Sequence, residues 1–564
     1  MSKKIVVIGG VAGGASAAAR ARRLDEHADV IMFERGPHVS FSNCALPFHL
    51  SGIVENSEDL VLMNPKQFKK QYNIEARVNS EVTSINRKNK TVTVKTVTTG
   101  ESYEESYDKL VLSPGANPII PPIQGTDMEH VFTVRNVVDI AKLDAYVKQD
   151  NVKQVAVIGG GFIGIEVVEN LRLAGLDVSL IEFSNQVMTP FDYDMAQILH
   201  KEIIDQGVNL IVNDGLAKIE ANQIELQSGK KLAADAVVLA IGVKPETTLA
   251  EQAGLEIGQT GGIKVDHNYI TSDSDIYAVG DAIEVYHKLT HQPTRLALAG
   301  PAQRQARAAA DHLYRIPHRH TGVIGSSCIH VFDQNAAATG LNEKEAERAG
   351  IAYDFVYIIP NDKVGLMPES HPMHFKLIYE YPTGKILGAQ AIGKGNVDKR
   401  VDVIATMITM GGTLEDLKEL ELCYSPMFGT AKDVVNFAAL VALNRLNGEF
   451  KQVSVTKVRE LVENNAFIMD VREKHEYERG HLTNAVNIPL SEFRDRLDEI
   501  PQNQPVYVHC RSAQRSYNAV MALQHLGYKN VYNISGSYLG ICLYEYYTDQ
   551  MTGREKIVTA YNFK

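Results

Sequence analysis

Apolar runs, glycine-rich turns and amphipathic segments follow one another along most of the chain. The opening KKIVVIGGVAGGASAAARARRL has the pattern of an apolar strand, a glycine turn and an alanine-rich helix, and a second strand, DVIMFER, is predicted at residues 29–35. Residues 153–183 repeat this order of strand, glycine turn, helix and strand. Strands that alternate with helices are typical of parallel sheets, so the sequence predicts an α/β protein with an internal repeat of one βαβ unit.

The pattern changes twice further along the chain. From about residue 325, apolar segments such as HVFDQNAAATG, HFKLIYE and GKILGAQAIG predict strands, and amphipathic helices follow them. A domain boundary is predicted near residues 445–455, and the tail after it has its own pattern of strands, loops and helices. A chain of 564 residues is too long for one core, and about three to five domains are expected.

Composition and charge narrow the class of protein. Hydrophobic residues make up 45% and charged residues 22% of the chain, which is typical of a globular protein. The net charge of −11 argues against nucleic-acid binding. No apolar run reaches the ~18 residues of a membrane span, and the start lacks the apolar run of a signal peptide. Five sparse cysteines suit a reducing compartment, so we expect a cytoplasmic protein that binds neither membranes nor metals.

The glycine turn of the repeat has the spacing of a dinucleotide site. Gly159, Gly161 and Gly164 fit G-x-G-x-x-G between a strand and a helix, where a pyrophosphate can approach the helix N-terminus. Glu182 ends the next strand, and its carboxylate would bind a ribose 2′-hydroxyl but repel a 2′-phosphate. Residues 183–185 supply no arginine for such a phosphate, so the sequence predicts NADH, with NADPH as the less favoured cofactor.

The first glycine turn departs from that spacing. Val11 replaces the middle glycine between Gly9 and Gly14, although Glu34 still ends the second strand. Residues 277–282 (YAVGDA) place Asp281 after an apolar strand, where it could hold a ribityl hydroxyl, and residues 113–116 (SPGA) form a further turn. From these residues alone, the first glycine turn either binds a nucleotide cofactor or is a tight strand–helix turn without a ligand.

Together these segments resemble the flavin-dependent pyridine nucleotide–disulfide reductases over residues 1 to about 445. The resemblance implies FAD at the first glycine turn, NADH at the second, and a C-terminal domain that forms a homodimer. It assigns cofactor binding to Gly9, Gly10, Ala12, Gly14, Glu34, Arg35, Val82, Gly115, Asp281, Ala299, Gly159, Gly161, Gly164, Glu182 and Gly242.

Cys44 lies in the stretch SFSNCALPF, with no second cysteine nearby along the chain. A free cysteine is most often a small buried hydrophobe, which is the alternative to a reactive thiol. The motif S-F-x-N-C resembles coenzyme A-disulfide reductases and their relatives, the NADH oxidases and peroxidases, in which one cysteine faces the flavin. The peroxidase branch has a histidine where this chain has Ala12, and the Ala-Leu-Pro after Cys44 fits the coenzyme A-disulfide branch.

The same resemblance implies a site for a phosphate-bearing thiol such as coenzyme A. Tyr424, in CYSPMFGTAKD, matches a tyrosine that the partner subunit supplies to the catalytic cysteine. A second family tyrosine is replaced by Met367, which leaves apolar room for a persulfide. Two of the matching positions, Arg20 and Arg23, lie on the first helix, and the alternative for them is a solvated basic face that binds no substrate. The matching substrate positions are Arg20, Arg23, Ser40, Asn43, Gln303 and Lys432.

The tail carries a second candidate nucleophile. In VYVHCRSAQRS an apolar strand ends at Cys510, and Arg515 opens a helix, so the loop between them can form an anion-binding nest of backbone N–H groups. The tail from about 455 to 564 closely resembles a rhodanese domain, which implies sulfane sulfur on Cys510 and substrate contact by Arg515. The alternative is that Cys510 is a structural thiol of the loop and carries no sulfur. The upstream residues that share this resemblance are Asp470, Arg472, His481 and Asn487.

The predicted fold class is α/β with two nested Rossmann-like FAD and NAD domains, an α+β dimerisation domain and a C-terminal α/β rhodanese domain. The predicted ranges are 1–112 and 265–324 for FAD, 113–264 for NAD, 325–448 for dimerisation and 455–564 for rhodanese. We expect Cys328, Cys423 and Cys542 to fill packing positions.

The predicted function is NADH-dependent reduction of a persulfide, polysulfide or coenzyme A disulfide at Cys44, with FAD and coenzyme A as ligands. Two alternatives remain open: an NADH oxidase or peroxidase that cycles a sulfenic acid, and a non-redox sulfur-trafficking module.

Overall fold

The structure is a computed structural model, and it describes residues 3–563 of the chain. Two compact units are present: the first comprises the residues up to 183 with 211–323, and the second comprises 184–210 with 324 onwards. Each unit has its own sheets and buried core. Within residues 3–563, no helix combines the length and the apolar composition needed to cross a membrane.

Strands and helices alternate through residues 3–323, as the apolar pattern predicts. The elements up to residue 150 are β1 (Lys4–Ile8), α1 (Ala12–Leu24), β2 (Asp29–Phe33), α2 (Pro65–Tyr72), β3 (Glu75–Arg77), β4 (Ser80–Asn86), β5 (Thr91–Thr96), β6 (Ser102–Ser106), β7 (Lys109–Leu112), β8 (Ala116–Pro118), β9 (Val131–Phe132) and α3 (Val137–Val147). Those that follow are β10 (Gln154–Ile158), α4 (Phe162–Leu173), β11 (Asp177–Ile181), α5 (Tyr193–Asp205), β12 (Asn209–Ile211), β13 (Leu216–Glu220), β14 (Gln223–Leu226), β15 (Lys231–Ala233), β16 (Ala236–Leu239), β17 (Val243–Pro245), α6 (Thr248–Gln252), β18 (Ile276–Ala278), β19 (Val285–Tyr286), β20 (Pro293–Thr294) and α7 (Ala299–Leu313).

A parallel sheet with the strand order β18-β7-β1-β2-β3 forms the centre of the first unit. Its apolar side chains alternate between two cores, because successive residues of a strand point to opposite faces. Val6 and Ile8 pack with residues of β4 and β5, whereas Ile5 and Val7 pack with alanines of α1 and α7. Both faces are therefore covered, which explains why the strands are apolar throughout rather than alternating with polar residues.

The internal repeat is visible as a second parallel sheet in the same unit, where β11, β10, β16 and β9 lie in that order. In both copies the helix after the glycine turn passes very close to the turn itself. A Cβ on Gly14 would collide with the carbonyl oxygen of Gly9, and a Cβ on Gly164 would collide with that of Gly159. Only glycine fits at these two positions, so the two turns place their helix N-termini in the same way.

The second unit contains an antiparallel sheet followed by a parallel one. The elements of the first part are β21 (Ser327–Val331), β22 (Gln334–Gly340), α8 (Glu343–Arg348), β23 (Tyr353–Ile358), β24 (Met373–Glu380), β25 (Ile386–Gly393), α9 (Val397–Met410), α10 (Leu414–Lys418) and α11 (Val434–Leu446). Those of the tail are β26 (Lys451–Val453), α12 (Val458–Glu463), β27 (Phe467–Asp470), α13 (Lys474–Glu478), β28 (Ala485–Asn487), β29 (Val506–His509), α14 (Gln514–His525), β30 (Val531–Ile534) and α15 (Ser537–Thr552).

The strand order is β21-β22-β25-β24-β23 in the antiparallel sheet and β26-β30-β29-β27-β28 in the parallel sheet of the tail. The predicted fold class is confirmed. One predicted strand is wrong in detail, because residues 330–340 (HVFDQNAAATG) contain the end of β21, a turn, and β22. Phe332 in that turn has a φ of +54°, a conformation that ends the extended backbone.

Candidate functional site

A cavity of about 670 Å³ opens in the first unit where the first glycine turn, residues 113–116 and the Gly-Asp turn meet. This volume lies within the ~300–1,000 Å³ that is usual for cofactor sites. Gly14 and Ala299 are not part of its wall, because Gly14 lies beneath the turn and α7 presents Ala302 instead. The predicted cofactor residues that line the cavity are Gly9, Gly10, Ala12, Glu34, Arg35, Val82, Gly115 and Asp281.

The polar groups of this wall fit FAD. Glu34 holds the first glycine turn in place, because its carboxylate accepts the N–H groups of Gly10 and Gly36, each at 2.9 Å. Helix α1 begins at Ala12 without an acidic residue in its first turn, so its N-terminus suits a pyrophosphate. Burial raises the pKa of Asp281, which lies directly after β18. The structure thus places these predicted residues around one cavity.

A second cation in this wall was not predicted from the sequence. Arg135 lies just before α3, and both Arg135 and Arg35 donate to the side-chain oxygen of Asn117. Burial and the charge of Arg35 lower the pKa of Arg135, while Glu246 opposes that effect. Arg135 belongs to no motif and is far from the glycine turn in sequence, so no local signal could have identified it.

The second glycine turn repeats the arrangement around Glu34. Glu182 follows β11 and accepts the N–H of Gly160 at 2.7 Å, so its carboxylate lies at the turn formed by Gly159 and Gly161. Gly242 lies between β16 and β17, and its carbonyl accepts the N–H of Ile119. No arginine occupies residues 183–185, and the side chain of Phe183 there is 71% exposed. These residues fit a nicotinamide dinucleotide with a free 2′-hydroxyl.

Cys44 lies near the start of a short 3₁₀ helix, Asn43–His49, and not in an open turn. Two contacts hold this helix: Ser51 donates to Asn170 at 2.6 Å, and His49 Nε2 lies 3.6 Å from a carboxylate oxygen of Asp144. The thiol is exposed, and Asn43 beside it lines the cavity.

The surroundings of Cys44 disfavour the charged form of its thiol. Partial burial raises the pKa of Cys44, and the carboxylates of Glu166 and Asp281 raise it further. Burial also raises the pKa of Glu166, on α4, to about 7, with Glu169 as a second cause. Glu166 was not predicted from the sequence, because the spacing of the glycine turn says nothing about which helix side chains face Cys44.

The arginines of α1 have different surroundings. Arg20 donates from Nε to Asp311 at 2.6 Å, and Arg23 lies over the ring of Tyr72 at 5.5 Å. Arg22 is buried and donates to four backbone carbonyls, so its role is structural. Gln303 is exposed one turn into α7. Arg20, Arg23 and Gln303, which were predicted as substrate positions, lie on helices α1 and α7 of the first unit.

Ser40 borders the first glycine turn, since its N–H donates to the carbonyl of Gly10. In the second unit, Tyr424 is 51% exposed in the loop after α10, and Lys432 is exposed further along the same loop. Cys328 and Cys423 are exposed in the single chain, on an edge strand and on a loop, so their assignment as packing residues of the interface domain stays a prediction. Cys542 is buried in α15, as expected.

The tail brings Cys510 and Arg515 together around one loop. Cys510 follows β29 and is 1% exposed, while Arg515 lies in the first turn of α14. Glu476 on α13 accepts two hydrogen bonds from Arg515, at 2.6 and 2.8 Å, and this pair lowers the pKa of Glu476 to about 2. Glu476 and Cys510 together raise the pKa of Arg515 above its ordinary value.

The upstream residues of the tail support that loop from behind. Asp470 and Arg472 form a buried ion pair at 2.6 Å, and Asn487 donates to the backbone carbonyls of both. His481 stacks on Tyr477 with ring centroids 3.8 Å apart. Asp470 and Asn487 lie on the paired strands β27 and β28, and β27 also pairs with β29, so these two residues support the strand that leads to Cys510.

Three family models match successive parts of the chain. A family model described as pyridine nucleotide-disulphide oxidoreductase matches residues 3–306, the dimerisation-domain model of that family matches 326–433, and a rhodanese-like domain matches 454–543. Coenzyme A disulfide reductase from Staphylococcus epidermidis is 32% identical over 434 residues, which cover 77% of this chain and 98% of the relative.

Two solved structures are similar over nearly the whole length. Reduced Bacillus anthracis CoADR-RHD has a TM-score of 0.94 and 44% identity, covering 98% of this chain and 99% of that one. A NAD-dependent persulfide reductase from A. fulgidus has a TM-score of 0.91 and 34% identity, covering 95% of this chain and 99% of that one.

Proposed function

The chain belongs to the pyridine nucleotide-disulphide oxidoreductase family, and from that premise we propose that it is a FAD-dependent NADH:persulfide reductase. Its substrates are a persulfide or polysulfide, including coenzyme A persulfide, and coenzyme A disulfide, and its tail handles sulfane sulfur. The observation that carries this proposal is the position of Cys44. A lone thiol directly follows Asn43, which lines a dinucleotide-sized cavity, and the carboxylates of Glu166 and Asp281 both raise the pKa of that thiol.

Cys44 acts as the nucleophile. Its thiolate attacks the sulfur–sulfur bond of R–S–SH, so that a mixed disulfide Cys44–S–S–R forms and hydrosulfide leaves with the bonding electron pair. NADH then supplies two electrons and one hydrogen, which return Cys44 to the thiolate and release R–SH. FAD, when bound by the glycine turn, Glu34 and Asp281, supplies the two-electron chemistry between NADH and sulfur. The net reaction is R–S–SH + NADH + H⁺ giving R–SH + H₂S + NAD⁺.

The chain selects its substrates by charge. Glu182 favours NADH over NADPH, since a second anion beside its carboxylate would be repelled. Arg20 and Arg23 bind the phosphate groups of coenzyme A on the surface of α1, and Ser40, Asn43, Gln303 and Lys432 complete the substrate contacts. In the tail, Cys510 carries sulfane sulfur and Arg515 binds the anionic donor.

We also propose a homodimer in which Tyr424 serves the catalytic cysteine of the partner subunit. The matched dimerisation domain supports this, as do large apolar side chains at the surface of the second unit. Leu366 is 89% exposed and Phe428 is 72% exposed, which is costly in water and usual at an interface. The domain ranges given from the sequence are retained as part of the proposal, as is a reducing cytoplasmic setting, which suits five free thiols.

The test is anaerobic oxidation of NADH by the purified holoenzyme, with sulfide measured as product. Coenzyme A persulfide, polysulfide, elemental sulfur and coenzyme A disulfide are compared as acceptors. We expect NADH oxidation to match sulfide release for the persulfides, and Cys44→Ser to keep bound FAD and its reduction by NADH but to lose turnover. Dioxygen consumption that matches NADH, without sulfide, would identify an NADH oxidase instead. Wild-type turnover in Cys44→Ser would remove Cys44 from the mechanism.

A further inference from the structure

Two serine hydroxyls lie directly behind the sulfur of Cys510. Ser516 Oγ is 3.6 Å from Cys510 Sγ, and Ser537 Oγ is 4.0 Å from it. Ser537 Oγ also accepts the backbone N–H of Cys510 at 3.1 Å, which fixes the hydroxyl next to the nucleophile. Both serines are 0% exposed, so no bulk water competes for the sulfur on this side. The sulfur is thus enclosed by groups that can donate a hydrogen bond to an anion.

Each hydroxyl has an alternative acceptor when the sulfur is a neutral thiol. Ser516 donates to Asn533 at 2.6 Å, and Ser537 to the carbonyl of Ile534 at 3.2 Å. Because a hydroxyl hydrogen rotates about its C–O bond, either serine can redirect its hydrogen to Cys510 once the sulfur is charged. Hydrogen bonds to charged groups in such enclosed sites are about twice as strong as neutral ones. The two hydroxyls can therefore donate hydrogen bonds to the anionic sulfur that sulfur transfer produces.

Ser537 occupies a backbone conformation that needs external support. Its φ is +48°, and it follows Gly536 with a φ of +75°. A side-chain-bearing residue in this region is strained and persists where its surroundings determine the conformation. The support comes from Tyr357 on β23, in the antiparallel sheet. A Cβ on Gly536 would lie only 2.6 Å from the Tyr357 ring, and Ser535 Oγ donates to the Tyr357 carbonyl at 3.3 Å.

Tyr357 is itself held firmly. Its hydroxyl and His374 Nδ1 are 2.6 Å apart, and both side chains are buried. Burial lowers the pKa of His374 to about 3, so the ring is neutral and the contact persists throughout the physiological pH range. A continuous series of contacts thus runs from His374 through Tyr357 and the Gly536–Ser537 turn to Cys510.

We propose that Ser537 is a catalytic residue of the Cys510 site and that Tyr357 is a positioning residue, which holds the Gly536–Ser537 turn against the sulfur. The inference rests on the proposed function, in which Cys510 carries sulfane sulfur. With thiosulfate, the Cys510 thiolate attacks the outer sulfur, a new S–S bond forms, and sulfite leaves with the electron pair of the broken bond. The negative charge ends on the terminal sulfur of the persulfide, and cyanide later removes that sulfur as thiocyanate. Sulfur transfer in the tail consequently depends on a residue of the dimerisation domain.

The primary test replaces Ser537 by glycine in the full-length holoenzyme. Glycine accepts the positive φ without strain and removes only the hydroxymethyl group, so folding is preserved better than with alanine. The readouts are thiosulfate:cyanide sulfur transfer and iodoacetamide alkylation of Cys510, followed on its peptide by mass spectrometry. We expect both rates at pH 7 to fall about tenfold, as the loss of one hydrogen bond to a charged group implies, and the pH profile of alkylation to move to higher pH. Ser491→Ala is the matched control, because that hydroxyl lies on the surface of the tail and bonds Glu473.

Tyr357 is tested with a pair of variants. Tyr357→Ala removes the ring beside Gly536, and we expect the same alkaline movement of the Cys510 profile, while Tyr357→Phe restores most of the lost transfer. NADH oxidation by coenzyme A disulfide, which uses Cys44, reports whether the holoenzyme is intact. Wild-type alkylation and transfer rates in Ser537→Gly would overturn this inference and leave the proposed function standing. An unmutated enzyme that transfers no sulfur from thiosulfate, and in which Cys510→Ser changes no sulfur substrate, would overturn the role of Cys510 and this inference with it.

Discussion

Replacing Lys376 by methionine should reveal how strongly one buried ammonium stabilises the second unit. Lys376 lies on β24 with a side chain that is 0% exposed. Its Nζ is 2.9 Å from Asp194, 3.1 Å from Asp192 and 2.5 Å from Glu343. One oxygen of each carboxylate lies within 4.8 Å of the others, so their charges would repel one another without the ammonium. Methionine keeps most of the volume of the side chain and removes its charge.

The magnitude follows from the burial of this group. Removing one partner of a buried ion pair costs ~3–5 kcal/mol, because the remaining charge is left without compensation. With an m-value of ~3 kcal/mol/M, the urea midpoint of the second unit should fall by about 1–1.7 M. Burial acts to lower the pKa of Lys376, but Asp194, Asp192 and Glu343 outweigh it and raise that pKa. Since a raised lysine pKa stabilises the fold at every pH below ~10.4, the wild-type contribution is constant between pH 5 and 8.

The variant should behave differently with pH. Burial already raises the pKa of Glu343, and the nearby ammonium opposes this, so losing Lys376 raises the carboxyl pKa further. A carboxyl whose pKa is raised by folding destabilises the fold as pH rises above its unfolded value of ~4.3. We therefore expect the deficit of Lys376→Met to be larger at pH 8 than at pH 5.

The assay is urea unfolding followed by circular dichroism at both pH values. Lys394→Met is the control, because Lys394 pairs with Asp333 at 3.1 Å but is 43% exposed, and such surface pairs contribute ~1 kcal/mol or less. Equal midpoint changes in the two variants, or a deficit in Lys376→Met that is the same at pH 5 and pH 8, would refute the electrostatic reasoning.

Three further predictions concern the cofactor and the tail. The ratio of kcat/KM for NADH to that for NADPH should exceed one and fall in Glu182→Ala, and a wild-type preference for NADPH would contradict the role of Glu182. Cys510→Ser should abolish thiosulfate:cyanide transfer and weaken reduction of bulky sulfur donors while sparing small persulfides; equal loss of sulfide release from both donor classes would indicate one obligatory relay. Ala513→Gly should raise the free energy of unfolding of the tail by about 1 kcal/mol, because Ala513 has a φ of +74°, and an unchanged thermal midpoint would argue against strain there.

The parts of the site that could be predicted from the sequence are those whose chemistry is local. The turns must contain glycine where a Cβ would collide with the backbone of the turn. Glu34 and Glu182 recur at the end of the following strand because each carboxylate accepts a backbone N–H of its turn. Cys510 and Arg515 belong to one loop, so their spacing alone brings them together.

The remaining residues come together through tertiary contacts of ordinary polar side chains. Arg135 lines the cavity and bonds Asn117, and Glu476 meets Arg515 from a helix 39 residues earlier. Ser537 lies 27 residues after Cys510 in a serine-glycine turn that reads as a plain loop. Neither hydrophobic periodicity nor spacing specifies such pairs, because each residue type is common and its partner is chosen by the packing of the sheets.

Helix α5 has a consequence for how the protein is made. Its sequence is synthesised within the first half of the chain, but it belongs to the second unit. Lys376, the partner of Asp194, is synthesised 182 residues after it. Tyr547 of α15, which bonds Leu210 just beyond α5, is synthesised 337 residues after Leu210. At ~5–20 residues per second, the first of these delays lasts about 10–35 s on the ribosome. During that interval the nascent chain carries a helix without its final partners, so an early stop in translation leaves a fragment whose nucleotide-binding part is interrupted by an unpaired acidic segment.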